Sequence, residues 1–366
     1  MAEIDQCARR ETLAAARTQG AALTLASAWL RAALASPTAN LGDPVGEVGD
    51  VGNTGRAMDG ETPDLDAQVL LAHVVGAPRF TLLAYPERPL TPEQAATYAG
   101  LVARRAAREP VAYLTGRREF MGLDLLVDQR ALIPRPETEL LVEAALADLR
   151  RRLDNALTAP NPPDTNAANT PSTPQPATPQ APLTPPSHAY GKGAGGVGPL
   201  VADIGTGSGA IALAVAALGA WLPRIYATDI SADALALAAA NAARLGVADR
   251  VTFLQGDLLA PLPEPVDVLL ANLPYVAPRD AATLPTDVSR YEPGLALYGA
   301  DDGLGHLRQL FAQAPAHLRP HASLFLEFGY DQRAAVESLA RATFPQAMMR
   351  VVADYAGWDR FIEIRL

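Results

Sequence analysis

Apolar positions in this chain change period along its length, and the changes divide it. Between 23 and 34, Leu25, Trp29, Leu30, Ala33 and Leu34 recur at helical spacing. Leu65, Val69, Leu70 and His73 do the same after Thr62-Pro63, a cap followed by proline at the first helical position. That helix should stop near Gly76-Ala77-Pro78, with a short helix over 80–84. Thr91-Pro92-Glu93 opens another, through Tyr98, Leu101 and Val102 to Arg108. The pattern predicts a small helical domain over 23–110, with 37–61 as a Pro/Gly/Asp-rich loop insertion and 1–22 as an N-terminal extension. Strand-like pieces at 112–114 and 120–127, around Gly116-Arg117-Arg118, read as a hairpin linker over 111–131. Two prolines then hold Leu132-Ile133-Pro134-Arg135-Pro136 extended, and Glu137 or Thr138 opens a helix over 139–149.

From 199 the chain alternates. Strands are expected at 199–204, 224–228, 250–254, 266–271 and 322–328, with helices at 210–218, 231–245, 304–318 and 331–342 between them. Strands at 347–352 and 359–365 lie close enough to pair antiparallel at one edge. Alternation of this kind implies an α/β, doubly wound, mostly parallel seven-stranded sheet of Rossmann-like type over 132–366. The segment 151–198 interrupts it. Prolines crowd there amid Thr, Asn, Ala and Gln, and large aliphatics are scarce, so it is expected to be a disordered insertion.

Composition narrows the function. The chain has 366 residues, 49 % of them hydrophobic, enough for more than one core. Its formal net charge of −10 argues against stable gripping of a nucleic-acid backbone. A single cysteine, Cys7, fits a reducing cytoplasm and gives neither a disulfide framework nor a cysteine metal site. The five histidines show no metal-ligand spacing. There is no apolar run of membrane length and no basic leader at the N-terminus.

Chemistry gathers at the expected carboxyl ends of the strands, where open α/β sheets bind ligands. Gly205-Thr206-Gly207-Ser208-Gly209 lies between the first strand and its helix, so backbone can pass close under an anionic group. Taken alone it also fits a dinucleotide fingerprint, with Gly205, Gly207 and Ala210 in register. Asp229 follows the second strand and suits ribose hydroxyls. Asp257, followed by Leu258, closes the third and suits an adenine amino group. After the fourth comes Asn272-Leu273-Pro274-Tyr275. The Asn272 side-chain oxygen and the Leu273 carbonyl are two acceptors beside an aromatic face, in a turn fixed by Pro274. They suit a planar group bearing NH2. That order fits an S-adenosylmethionine site with a methyl-acceptor pocket beside it, Asn272 adjoining both. A nicotinamide enzyme has no use for a two-acceptor clamp there.

These residues resemble the bacterial protein-(glutamine-N5) methyltransferases of peptide chain release factors, the HemK-like family. The resemblance covers about 23–36, 62–150 and 199–366. It rests on the helical domain, Arg117-Arg118-Glu119-Phe120, the strap from Leu132 through Pro136-Glu137-Thr138-Glu139, the glycine turn and the Asn-x-Pro-Tyr motif. The strap with the helical domain is the specific part. The second motif residue is usually proline and here is Leu273, where only the carbonyl is expected to act. The resemblance implies a class I S-adenosylmethionine-dependent fold and, as substrate, the glutamine of the release-factor Gly-Gly-Gln loop. An adenine-N6 nucleic-acid methyltransferase uses the same kind of clamp and is the alternative; it needs a basic groove and a base-flipping platform. Arg104, Arg105, Arg108, Arg117 and Arg118 are candidates for a face docking an acidic partner.

Overall fold

The computed structural model describes residues 2–35, 62–158, 198–219 and 224–366. The 37–61 insertion and residues 159–197 lie outside them, while 151–158, expected to belong to the disordered insertion, are helical. The helical domain comprises α1 (Ala2–Ala14), α2 (Gln19–Leu34), α3 (Pro63–Val75), α4 (Arg79–Ala84), α5 (Pro92–Ala106) and α6 (Val111–Thr115). Leu13 and Ala16 are buried in the same core as Trp29, Leu30, Leu70, Leu71, Tyr98 and Val102. Residues 2–22 are therefore part of this domain rather than an extension to it. The Thr18 hydroxyl caps α2 by accepting from the Ala21 amide, and Thr91 with Gln94 makes a reciprocal capping box on α5.

Two local expectations are corrected. Residues 112–114 lie in α6, not in a strand; Pro110 precedes this helix and Gly116 ends it in the left-handed region. The hairpin instead joins β1 (Arg117–Phe120) to β2 (Leu123–Leu126) through Met121 and Gly122, both at positive φ as a tight two-residue turn requires. The arginines expected to form a docking face are mostly engaged within the protein. Arg105 is buried against Asp66 at 2.7 Å, Arg104 pairs with Glu109, Arg108 donates to the Leu34 carbonyl, and Arg117 pairs with Asp124.

The helix after the strap, α7 (Pro136–Thr158), starts earlier and ends later than expected. Proline suits its first position, so Thr138 falls inside the first turn. Its far end is extended by Arg151 and Arg152, which pair with buried Asp148; Arg152 also donates to the His321 carbonyl and Ser323 Oγ. Then follow β3 (Val201–Ile204), α8 (Ala210–Leu218), β4 (Ile225–Asp229), α9 (Ala232–Leu245), β5 (Val251–Gln255) and β6 (Val266–Ala271). Two short helices, α10 (Thr286–Tyr291) and α11 (Gly294–Leu297), lie between β6 and the next long helix, where the pattern predicted no element. The chain ends with α12 (Gly305–His317), β7 (Leu318–Glu327), α13 (Arg333–Thr343), β8 (Met348–Ala353) and β9 (Asp359–Arg365).

The seven-stranded sheet has the order β5-β4-β3-β6-β7-β9-β8. Its first five strands are parallel, and β9 runs antiparallel between β7 and β8. Alternate residues face opposite layers. Val201, Val268 and Leu270 meet α7 and α8, whereas Ala202, Ile204, Leu269 and Ala271 meet α12 and α13.

One buried side chain ties the hairpin to the sheet. Asn241 of α9 accepts from the Leu126 amide and donates to the carbonyls of Leu126 and Ser208. Asn241→Leu leaves those backbone groups unpaired at about 1–3 kcal/mol each. The expected result is a lower midpoint of denaturant unfolding with an unchanged slope.

Candidate active site

Register brings the site together. Ile204 pairs with Thr228 on one side and Ala271 on the other, and Asp229 pairs with Gln255. Gly205, Asp229, the chain after Gln255 and Asn272 therefore leave the sheet along one edge. Ala271 also pairs with Leu326, which places Glu327 next to Asn272.

The glycine turn is braced from beneath. The amides of Gly205 and Thr206 both donate to the Thr228 carbonyl, and the Gly207 amide donates to Asp229 Oδ2 at 2.9 Å. Asp229 Oδ1 accepts from the Ser231 amide, which links this carboxylate to the cap of α9. Gly205 has φ +72°, and a Cβ there would lie 2.9 Å from Leu273 Cδ2. The turn and the clamp are thus in direct contact. The Thr206 and Ser208 side chains are buried; the Thr206 hydroxyl donates to Asp203 Oδ2 at 2.6 Å rather than pointing out of the site. Asp257 is exposed at the end of β5. Leu258 is buried at φ +49°, a strained conformation for leucine, and its carbonyl accepts from the Thr228 hydroxyl.

Asp203 is a site residue that the expectations above did not include. It is fully buried; Oδ2 also accepts from the Ala212 amide, and Oδ1 has no partner. Burial pushes its carboxyl up to about 7. A buried acceptor without a donor, under a turn open to the sheet edge, fits a ligand that brings a cationic or N–H group. The sequence signal was present, as an acid two residues before the first glycine.

The clamp is held at several points. Asn272 Nδ2 donates to Thr138 Oγ1 at 3.1 Å, and that hydroxyl donates to buried Glu327 Oε2 at 2.7 Å. Among the described residues nothing donates to Asn272 Oδ1 or to the Leu273 carbonyl. The Leu273 side chain is buried, and Pro274 and Tyr275 are part-buried. The Tyr275 carbonyl accepts from Gln332 Nε2 at 2.9 Å, and the Val276 amide donates to the Leu297 carbonyl. Burial, then the nearby Glu327 carboxyl, pushes the Tyr275 hydroxyl upward, so it stays neutral. Across the site, Glu292 accepts from the Ile133 amide and pairs with Arg135, which fastens the proline strap to the α10–α11 segment.

Two buried acids give a pH signature. Burial pushes Glu327 up to about 7, as it does Asp203. Each keeps its proton in the fold over a range where the unfolded chain, near its ordinary values of 4.5 and 3.8, has lost it. The folded state then binds more protons, so stability falls as pH rises between about pH 4 and about pH 7. Thermal unfolding of ligand-free protein should show that decline, and the D203N/E327Q variant should flatten it.

Sequence comparison agrees with this architecture. Residues 56–116 match the family model of the PrmC N-terminal domain, and residues 195–275 match that of the ribosomal protein L11 methyltransferase (PrmA). A release factor glutamine methyltransferase from Moorella thermoacetica is 43 % identical over 303 residues, covering 82 % of this chain and 90 % of that protein. The chain belongs to the release factor glutamine methyltransferase family. The family's enzyme from Bordetella pertussis is 39 % identical, covering 81 % of this chain and 93 % of its own length. That from Deinococcus radiodurans is 35 % identical, over 83 % and 91 %. Family membership makes the protein an S-adenosylmethionine-dependent methyltransferase of class I fold, as the sequence led one to expect. Among the described residues no helix is long and apolar enough to cross a membrane.

Proposed function

We propose that this protein methylates the side-chain amide nitrogen, N5, of the glutamine in the Gly-Gly-Gln motif of peptide chain release factors. The observation that carries the reading is the pair of acceptors at the mouth of β6, Asn272 Oδ1 and the Leu273 carbonyl, beside the glycine turn. The names of its relatives supply the substrate.

S-adenosylmethionine, when bound, supplies an electrophilic methyl group. The backbone of Gly205 to Gly209 and the orphan oxygen of Asp203 would hold its amino-acid end. Asp229 would take its ribose hydroxyls. The Asp257 carboxylate would accept from its adenine amino group, with the Leu258 amide as the neighbouring donor.

An amide nitrogen is a poor nucleophile because its lone pair is delocalised into the carbonyl. Asn272 and Leu273 answer this by accepting a hydrogen bond from each N–H. As the new carbon–nitrogen bond forms and the methyl–sulfur bond breaks, leaving the electron pair on a neutral thioether, positive charge passes to nitrogen, and two fixed acceptors stabilise it. The nitrogen need not lose a proton first; the strongly acidic N-methylated product loses one afterwards to water, which restores the neutral amide. Pro274 fixes the turn and Tyr275 packs on the amide plane, so the nitrogen is held in line.

The test offers labelled cofactor to the protein with a release factor and with duplex DNA side by side. Label in the release factor, and one methyl group on the glutamine of its Gly-Gly-Gln peptide by mass spectrometry, is the expected result. Label in the DNA alone would overturn the reading in favour of the adenine-N6 alternative.

A further inference from the structure

We propose that Thr138 and Glu327 are positioning residues that set which way the Asn272 amide points, with Oδ1 toward the substrate and Nδ2 toward the protein. The proposal rests on the clamp reading above and names what makes the clamp work.

An asparagine amide is nearly symmetric in shape and opposite in chemistry at its two ends. Turned over, Asn272 would present NH2 to a substrate NH2, donor against donor, and the clamp would be lost with every atom still in place. Something must therefore choose the orientation. A threonine hydroxyl has one proton to give. Here it gives it to Glu327 Oε2 at 2.7 Å, inside the protein; above about pH 7, where Glu327 is a carboxylate, that oxygen can only accept. What the hydroxyl then offers its other neighbour is a lone pair, so that neighbour must be a donor. It is Asn272 Nδ2, at 3.1 Å. Oδ1 is left facing away from Thr138.

The relay is built into the fold at both ends. Sheet register sets Glu327 beside Asn272, because Ala271 pairs with Leu326. Thr138 is delivered by the first turn of α7, where its own amide donates to the Arg135 carbonyl. Arg135 is in turn fastened to Glu292. Thr138 and Glu327 are almost fully buried, so water does not compete for the hydroxyl. The charged and titratable groups that face Glu327 are Arg360, Glu137, Arg135 and Tyr275.

Four variants of the full chain test this: T138V, T138S, E327L and T138V/E327L. The assay is steady-state methyl transfer to a release factor, with cofactor affinity measured separately by calorimetry. T138V is expected to lower kcat by about ten- to a hundredfold, with release-factor KM and cofactor Kd within about twofold. T138S keeps the hydroxyl and should recover kcat to within about threefold of wild type. E327L frees the Thr138 proton to bond Asn272 Oδ1, which favours the wrong orientation, so it should match T138V. The double variant should be no slower than the slower single one, because both changes break one relay. The relay is overturned if T138V turns over like wild type, if T138S is as slow as T138V, if cofactor affinity falls in step with kcat, or if the two losses multiply. Wild-type protein that leaves the release-factor glutamine unmodified removes the proposed function, and the relay with it. An active wild type with an equally active T138V removes the relay alone.

Discussion

Asn272→Ala is expected to abolish methylation of a release factor while leaving most cofactor binding intact. In the proposed mechanism the side chain supplies one of two acceptors for the reacting NH2, and the groups assigned there to the cofactor lie mainly along β3, β4 and β5. Loss of one preorganised contact of this kind raises a barrier by about 2.7–4 kcal/mol, or a hundred- to a thousandfold in kcat. The real loss should reach the upper end. Alanine also removes the Nδ2 bond to Thr138, which leaves a buried hydroxyl with one partner fewer. Single-turnover kinetics with saturating cofactor, beside calorimetric titration of the cofactor, reads both quantities. Turnover like wild type would remove the clamp from the mechanism. A matched loss of cofactor affinity would make Asn272 a cofactor ligand first.

The residues that make this prediction possible were legible in sequence to different degrees. Asn272 and Tyr275 stood out because an amide and an aromatic flanked a proline where a buried strand ended, and strand ends are set by local pattern. The glycine turn and the acids after β4 and β5 were legible for the same reason. Thr138 and Glu327 were not. They lie 189 residues apart, and their meeting depends on the register of β6 against β7 and on where α7 begins. Local pattern offers Thr138 only as one of two residues, with Glu137, that could open the helix. Pro136 starts the helix earlier and releases the hydroxyl for tertiary use. The placing of residues 2–22 in the helical domain is hidden from local pattern for a related reason. Leu13 and Ala16 carry little pattern of their own, and only their packing against α2 to α5 shows them to be core. Alternation of strand and helix, by contrast, was enough to give the sheet, since it depends on periodicity and not on partners.

The chain between β6 and α12 carries a second large effect, again outside what local pattern reveals. Gly303 sits at φ +77°, and a Cβ there would lie 2.1 Å from the Tyr275 carbonyl oxygen and 2.6 Å from Gln332 Nε2. A Cβ on Gly299 would likewise lie 2.2 Å from the Pro274 carbonyl oxygen. These glycines let a returning segment lie directly on the backbone of the clamp. Gly303→Ala must therefore move Tyr275 or lose the Gln332 bond that holds it, since a carbonyl oxygen cannot yield as a flexible side chain would. Left-handed backbone adds about 1–2 kcal/mol of strain for any side chain. The fold as a whole should survive, because the cores on the two faces of the sheet, including the one shared with α12, lie mainly outside this segment. The clamp shifts, and a displacement of about 1 Å in a positioning group costs about a hundredfold in rate. The expected result is a kcat lowered by about a hundredfold, with cofactor affinity within about threefold of wild type, because the ends of β4 and β5 lie on the far side of β3 from this segment and the glycine turn is braced from β4 by the Thr228 carbonyl and Asp229. Steady-state kinetics and cofactor calorimetry on the same preparation separate the two. An unchanged kcat would mean that Tyr275 and Pro274 tolerate displacement, and that the clamp is held by Asn272 and its Thr138 bond alone.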